Sequence, residues 1–140
     1  NQTFTYDADA GTVTATYGNA TAKPHADVLF SAQDETDGLG TEGELNARGL
    51  KYNFIKTVKA QAEGLLNQTD WYITRKAEKN TAIPSNITTW RDGIRTKQAE
   101  METAITNASD TPALETLYTY TEQEDGSVTR PLGELPRLES

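Results

Sequence analysis

From Glu44 to Leu66, the apolar residues Leu50, Phe54, Val58, Ala62 and Leu65 recur three and four positions apart, with Lys51, Lys56, Lys59 and Glu63 between them. That spacing places one apolar stripe along a helix and leaves the charged residues on the other faces. Gly49 disfavours helix by about 1 kcal/mol relative to Ala, which moves the effective start toward Leu50. A second helix reads over 85–107, where Ile87, Trp90, Ile94, Met101 and Ile105 repeat at helical spacing behind Ile83-Pro84-Ser85, with Ser85 or Asn86 as the cap. Between the two, Asn67-Gln68-Thr69-Asp70 breaks the pattern, and Trp71, Tyr72 and Ile73 turn an aromatic patch back toward the core. A polar, basic loop follows over 74–82. Ser109-Asp110-Thr111-Pro112 then sets a capping side chain before a first-turn proline, predicting a short third helix over 112–122 that presents Leu114, Leu117 and Tyr118.

The two ends follow other rules. In Thr3 to Tyr17, Phe4 and Tyr6, then Val13, Ala15 and Tyr17, alternate with threonine around a turn-rich DADAG. This is the pattern of a β-hairpin with one apolar face. An isolated hairpin is marginal in water, so this one is expected to dock on something. Gly18 to Gly43 reads as an acidic, glycine-rich loop with a short apolar island at Val28, Leu29 and Phe30 that suits one short strand. Beyond Glu122 the chain carries two prolines and little periodicity, so it reads as an extended tail that either meets a partner or is loose. The fold class is therefore α+β, mainly helical. It divides into a β-hairpin arm with acidic loop (1–43), a helical domain (44–122) built on an antiparallel helical hairpin (44–66 and 85–107), and the tail (123–140).

A chain of 140 residues has room for one modest core, and 35% hydrophobic residues with a mean hydropathy of -0.69 predict a thin one. Cysteine is absent, which removes disulfides, thiolate metal sites and thiol nucleophiles together. No run approaches the roughly 18 to 20 apolar residues of a membrane span, so no membrane partner is expected. The first residue is Asn1 rather than Met, as proteolytic maturation or an incomplete chain would leave it.

The net charge of -8 hides a block pattern: residues 1–47 carry -7, residues 48–98 carry +6, and the rest carry -7. An acidic, basic, acidic order suits docking of the ends onto the middle, or head-to-tail contact between copies, through complementary potentials. Solvated helix faces are the plainer reading of the same pattern.

Candidate chemistry is sparse. His25 is the only histidine and sits in a Lys-Pro-His-Ala turn with no acid or nucleophile patterned beside it. Asp34, Glu35 and Asp37 lack the alternating ligands and terminal glutamate of a calcium loop. The glycines of DGLGTEG lack the Lys-Ser or Lys-Thr of a phosphate loop. Arg75, Lys76, Lys79, Arg91, Arg95 and Lys97, with Trp71, Tyr72 and Trp90, are the raw material of a nucleic-acid patch, but the acidic ends oppose phosphate. The expectation is a chain that is not an enzyme and has no cofactor, metal, nucleic-acid or small-molecule partner. Asn-x-Ser/Thr occurs at Asn1, Asn19, Asn67, Asn86 and Asn107, of which Asn19, Asn67 and Asn86 are the candidate glycosylation sites if the protein is exported.

One segment goes beyond pattern: Leu65-Leu66-Asn67-Gln68-Thr69-Asp70-Trp71-Tyr72, then Ala82-Ile83-Pro84, then Trp90-Arg91-Asp92-Gly93-Ile94-Arg95. It resembles the phage tail assembly chaperone and tail fibre assembly families and related domains of phage tail and virion proteins, over about residues 50 to 97. The resemblance implies a helical-hairpin clamp. In it, Asp70 caps or pairs with Arg91 or Arg95, while Trp71 and Trp90 pack between the helices with arginine stacking available. Chaperones of this kind commonly carry the hairpin near the C-terminal end, whereas here a further helix and tail follow, which favours a virion component. The functional expectation is a non-catalytic, tail-associated structural protein of a phage particle, assembled in the host cytoplasm, whose partners are other particle proteins and copies of itself. A tail fibre assembly chaperone and a glycosylated extracellular filament or surface subunit are the alternatives.

Overall fold

The two long apolar stripes form the two long helices, and these pack antiparallel. In a computed structural model that describes residues 2–18 and 22–138, the elements run β1 (Gln2–Asp7), β2 (Thr12–Tyr17), β3 (Val28–Leu29), α1 (Ala32–Thr36), β4 (Leu45–Ala47) and α2 (Leu50–Asn67). They continue with α3 (Asp70–Lys79), α4 (Ser85–Asn107), α5 (Thr111–Tyr118), β5 (Thr121–Glu122) and β6 (Val128–Thr129). The direction of packing follows from cross-contacts: Lys51 Nζ donates to Thr106 O at 2.8 Å, Lys59 pairs with Glu102 at 3.3 Å, and Arg91 Nη1 donates to Leu66 O at 2.8 Å. The fold is α+β and mainly helical, with an N-terminal hairpin and a helical hairpin.

The core lies along this helix pair in two clusters. Val58, Met101, Ile105, Ala108, Leu114 and Leu132 form one, flanked by Phe54, Leu117 and Tyr118. Ala62, Trp90 and Ile94 form the other, flanked by Leu65 and Leu66, and Leu135 touches both. Every α4 position expected on the apolar face is buried. On α2, Val58 and Ala62 are buried while Leu50, Phe54 and Leu65 lie partly covered.

Several sequence expectations are corrected. The first long helix starts at Leu50, as Gly49 led one to expect, and residues 45–47 instead pair with β3 as a strand across the expected boundary at 43. Gly49 lies just outside the helix as its N-cap, where Ala26 packs so tightly that a Cβ would meet its carbonyl oxygen. The orphan amides of the first turn are filled from upstream backbone. Leu50 N–H donates to Pro24 O at 2.9 Å and Lys51 N–H to His25 O at 3.0 Å, so residues 24 and 25 do the capping that Gly49 cannot. Asp27 adds to this, accepting from Gly49 N–H and from Arg48 Nη1, each at 2.8 Å.

The expected loop over 74–82 is instead mostly helix, since α3 runs through to Lys79 and ends on Asn80 in the left-handed conformation. Ser85 and Asn86 do not cap α4. Pro84 holds that position without a side-chain bond, and Ser85 is already helical. Asp110 does cap α5, accepting from Ala113 N–H at 2.8 Å, and the helix stops at Tyr118 rather than 122. Part of the presumed acidic loop is the short helix α1, closed by a capping box in which Ser31 and Asp34 exchange hydrogen bonds.

The tail is neither simply extended nor loose. Glu124-Asp125-Gly126-Ser127 makes the turn of the β5–β6 hairpin, with Gly126 at φ +79°. Beyond it, Leu132 is buried in the core and its N–H donates to Leu117 O at 3.0 Å. The tail's partner is its own helical body.

At the front, β1 and β2 pair in the register Phe4 with Ala15 and Tyr6 with Val13, which puts these four on one face. Asp7 Oδ1 accepts from the Asp9 and Ala10 amides in the turn. Phe4 and Tyr6 are each 67% exposed and Val13 is 64% exposed, so the apolar face that was expected to dock has no cover within the described chain.

Candidate functional site

Of the site residues named from sequence, Asp70 and Arg91 meet where α2 ends, α3 begins and α4 passes. Thr69 closes the two-residue link between α2 and α3, and it is buried, with its hydroxyl donating back to Leu66 O at 3.2 Å. Opposite it, Arg91 comes up from α4. Its Nη1 donates to Leu66 O at 2.8 Å and to Thr69 Oγ1 at 2.7 Å, and its Nη2 pairs with Asp70 Oδ1 at 2.8 Å. Arg91 is only 6% exposed overall, whereas the Asp70 side chain is 52% exposed. The arginine is thus a buried strut with a half-solvated counter-ion. Its five planar donors suit the task, because a carbonyl, a hydroxyl and a carboxylate must be met from one fixed group.

Trp90, one residue earlier on α4, fills the second core cluster and donates its indole N–H to Pro136 O at 3.0 Å. The same turn of helix therefore anchors the α2–α3 junction with one side chain and the C-terminal tail with the next. Of the residues named for the clamp, Asp70 pairs with Arg91 and Trp90 packs in the core. Arg95 pairs instead with Asp92 on its own helix at 3.0 Å.

Trp71 and Tyr72 do not return to the core. Trp71 is 50% exposed, and it stacks on Tyr72 with ring centroids 3.7 Å apart. Arg75 completes the group, its guanidinium carbon 4.8 Å from the Trp71 ring centre and 5.2 Å from that of Tyr72. Its Nε has no hydrogen-bond partner although it is covered. α3 has no buried residue at all. Only the start of α3 is tied down, through Asp70 and Thr69 to Arg91.

The other residues singled out from sequence are spread through the fold. Lys97 pairs with Glu100 at 3.2 Å, and Lys76 and Lys79 stand in the last turn of α3, where the helix dipole favours cations. His25 serves through its backbone carbonyl. Asp34 caps α1, Asp37 accepts from Gln33 at 2.9 Å, and Glu35 accepts from Glu42 N–H at 3.2 Å, so each carboxylate has a local structural role. Hydrogen bonds from the Ser31 amide and hydroxyl hold Asp34 below its ordinary value. Among the described residues no group of three or more His, Cys, Asp or Glu is gathered as for a metal ion. Asn67 and Asn86 are exposed, as is Asn107, whereas Asn1 and Asn19 lie outside the described residues.

Thr69 lies within the segment singled out from sequence but without a role of its own, and the tail residues Leu132, Leu135 and Pro136 were not singled out at all. Arg130 was also missed. It pairs with Glu134 at 2.9 Å and lies over Tyr118 and Tyr120, with guanidinium-to-ring distances of 5.3 and 5.2 Å. The Tyr120 hydroxyl donates to Glu134 at 2.6 Å, which raises its pKa above the ordinary value. No protein-family model, curated protein or solved structure matches this chain.

Proposed function

We propose that this chain is a non-catalytic, tail-associated structural protein of a bacteriophage particle, acting through contacts with neighbouring particle proteins and with copies of itself. The observation that carries the assembly role is the β1–β2 arm. Its backbone ladder is complete, yet Phe4, Tyr6 and Val13 stand exposed on one face. A two-stranded hairpin gains little stability alone, and an uncovered aromatic face costs solubility, so such an arm suits a protein whose neighbour supplies the cover. The Arg91 clamp fits the same role, since it makes a rigid centre from which an arm can reach. The phage setting is supported by the resemblance of the segment from Leu65 to Arg95.

Mass spectrometry of purified particles from the source tests this reading. Finding the chain at high, integer copy number beside other particle proteins is the expected outcome. Finding it only in infected lysate would make it a tail fibre assembly chaperone. Finding it glycosylated at the exposed Asn67 or Asn86, away from phage proteins, would overturn the reading in favour of an extracellular filament subunit.

A further inference from the structure

An arm with an uncovered apolar face needs a receiving surface, and the exposed aromatic side of α3 matches it in character. α3 is a ten-residue helix with no buried residue, carrying Trp71 at 50% exposure beside Tyr72 and Arg75. At 100° per residue, Trp71, Tyr72, Arg75, Lys76 and Lys79 share one side of the helix, with Glu78 at its edge beside Trp71. This is an aromatic stripe whose far end carries three cations against the one acid Glu78. The arm is its complement: Phe4, Tyr6 and Val13 lead to a turn that carries Asp9 and is closed by Asp7 from the opposite face. Among the described residues, none of Asp7, Asp9, Arg75, Lys76 and Lys79 belongs to an ion pair.

We propose that α3 of one copy receives the β1–β2 arm of a second copy, head to tail, with Phe4 and Tyr6 against Trp71 and Tyr72, and Asp9 toward Arg75, Lys76 and Lys79. The proposal rests on the assembly role argued above and names the self-contact. Aromatic packing supplies the attraction and the charge pair sets the direction of the arm on the helix. A contact between two different patches is heterologous, so it repeats into an open chain or a ring rather than stopping at a symmetric dimer.

The test is sedimentation velocity of the full chain and two variants, each first confirmed to keep its circular dichroism and thermal midpoint. The arm variant is Phe4→Ser with Tyr6→Ser. The patch variant is Trp71→Ser with Lys79→Glu. Wild type is expected to form concentration-dependent oligomers at low ionic strength, with the half-association concentration rising at least tenfold at about 0.5 M salt. Each variant alone is expected to be monomeric, and an equimolar mixture to form a dimer and nothing larger, because only one good arm and one good patch remain.

Because the serine changes could loosen the hairpin itself, a charge swap gives a second reading. Asp9→Lys should weaken association, and mixing it with Lys79→Glu should restore it. Wild type that stays monomeric at all concentrations overturns the proposal, as does a mixture that stays monomeric or a variant that assembles unaided. A monomer whose Trp71 is shielded from iodide would place the arm on its own α3 and equally overturn it. Such failure in a chain still found in particles would leave the proposed function standing with another protein as the receiver.

Discussion

Arg91 Nη2 stands 2.8 Å from Asp70 Oδ1, while the other terminal nitrogen of the same guanidinium holds the Leu66 carbonyl at the end of α2. One side chain of α4 therefore fixes both sides of the α2–α3 link. The energies of its bonds differ. Those to Leu66 O and Thr69 Oγ1 are shielded from water, whereas the ion pair is half solvated on the aspartate side. Arg91→Met keeps the apolar stem but removes every donor, and it should cost about 2 to 3 kcal/mol. Asp70→Asn should cost less than about 1 kcal/mol. Urea unfolding midpoints of the two variants check the order, and equal losses would mean that the exposed ion pair dominates.

The indole N–H of Trp90 is what ties the tail to the helical body at Pro136. Trp90→Phe retains most of the apolar surface and should cost about 1 kcal/mol for the lost hydrogen bond. The loss should be local, with faster amide exchange over 132–138 and little change in α5. Unchanged exchange over 132–138 would show that the tail is held by Leu132 and Leu135 rather than by this bond.

Gly49 is set by contact rather than by dihedral angle. Its φ of -80° suits any residue, but a Cβ would meet the Ala26 carbonyl. Gly49→Ala should therefore destabilise the fold by about 1 to 3 kcal/mol, as overpacking does, instead of stabilising it as the same change does in an open helix. The thermal midpoint reads the sign directly.

The acid side of the stability profile follows from Asp27. The Gly49 amide, and after it Arg48, hold this carboxyl below its ordinary value of 3.8. A depressed folded-state pKa means that the unfolded chain takes up the proton first. The contribution is complete above about 3.8 and is lost as pH falls through the lower folded value. Asp34 and Asp125 are lowered in the same way, by Ser31 and Ser127 respectively. Asp27→Asn should flatten the fall in stability at acid pH while lowering stability at pH 7, measured by denaturant unfolding across the range. An unchanged slope would remove Asp27 from the account.

The two tryptophans should report oppositely. Iodide should quench Trp71, which is half exposed, and spare Trp90, which is 7% exposed. Quenching of Trp71→Phe and Trp90→Phe at high dilution separates them, and comparable quenching of both would contradict the arrangement of α3.

The long helices and the arm are legible in the chain because their order is local. Period 3.6 in 50–67 and 85–107 and period 2 in 3–17 each follow from which positions are apolar, and the Asp110 cap and Pro112 need only their neighbours. The pairing of Asp70 with Arg91 was visible as one of two choices. Only the packed structure could choose between Arg91 and Arg95, because one helical turn decides which arginine faces the buried Thr69 and which faces Asp92 in water. The same limit explains Trp71. Its residue type favours burial, but only the start of α3 is tied down, and the ring is left outside. Tertiary contact also decided the N-terminal cap of α2, made by carbonyls more than twenty positions upstream, and the docking of the tail through Leu132 and Pro136. Periodicity records what a residue's own helix or strand does with it, and the cap, the clamp and the tail are each made by a partner distant in sequence.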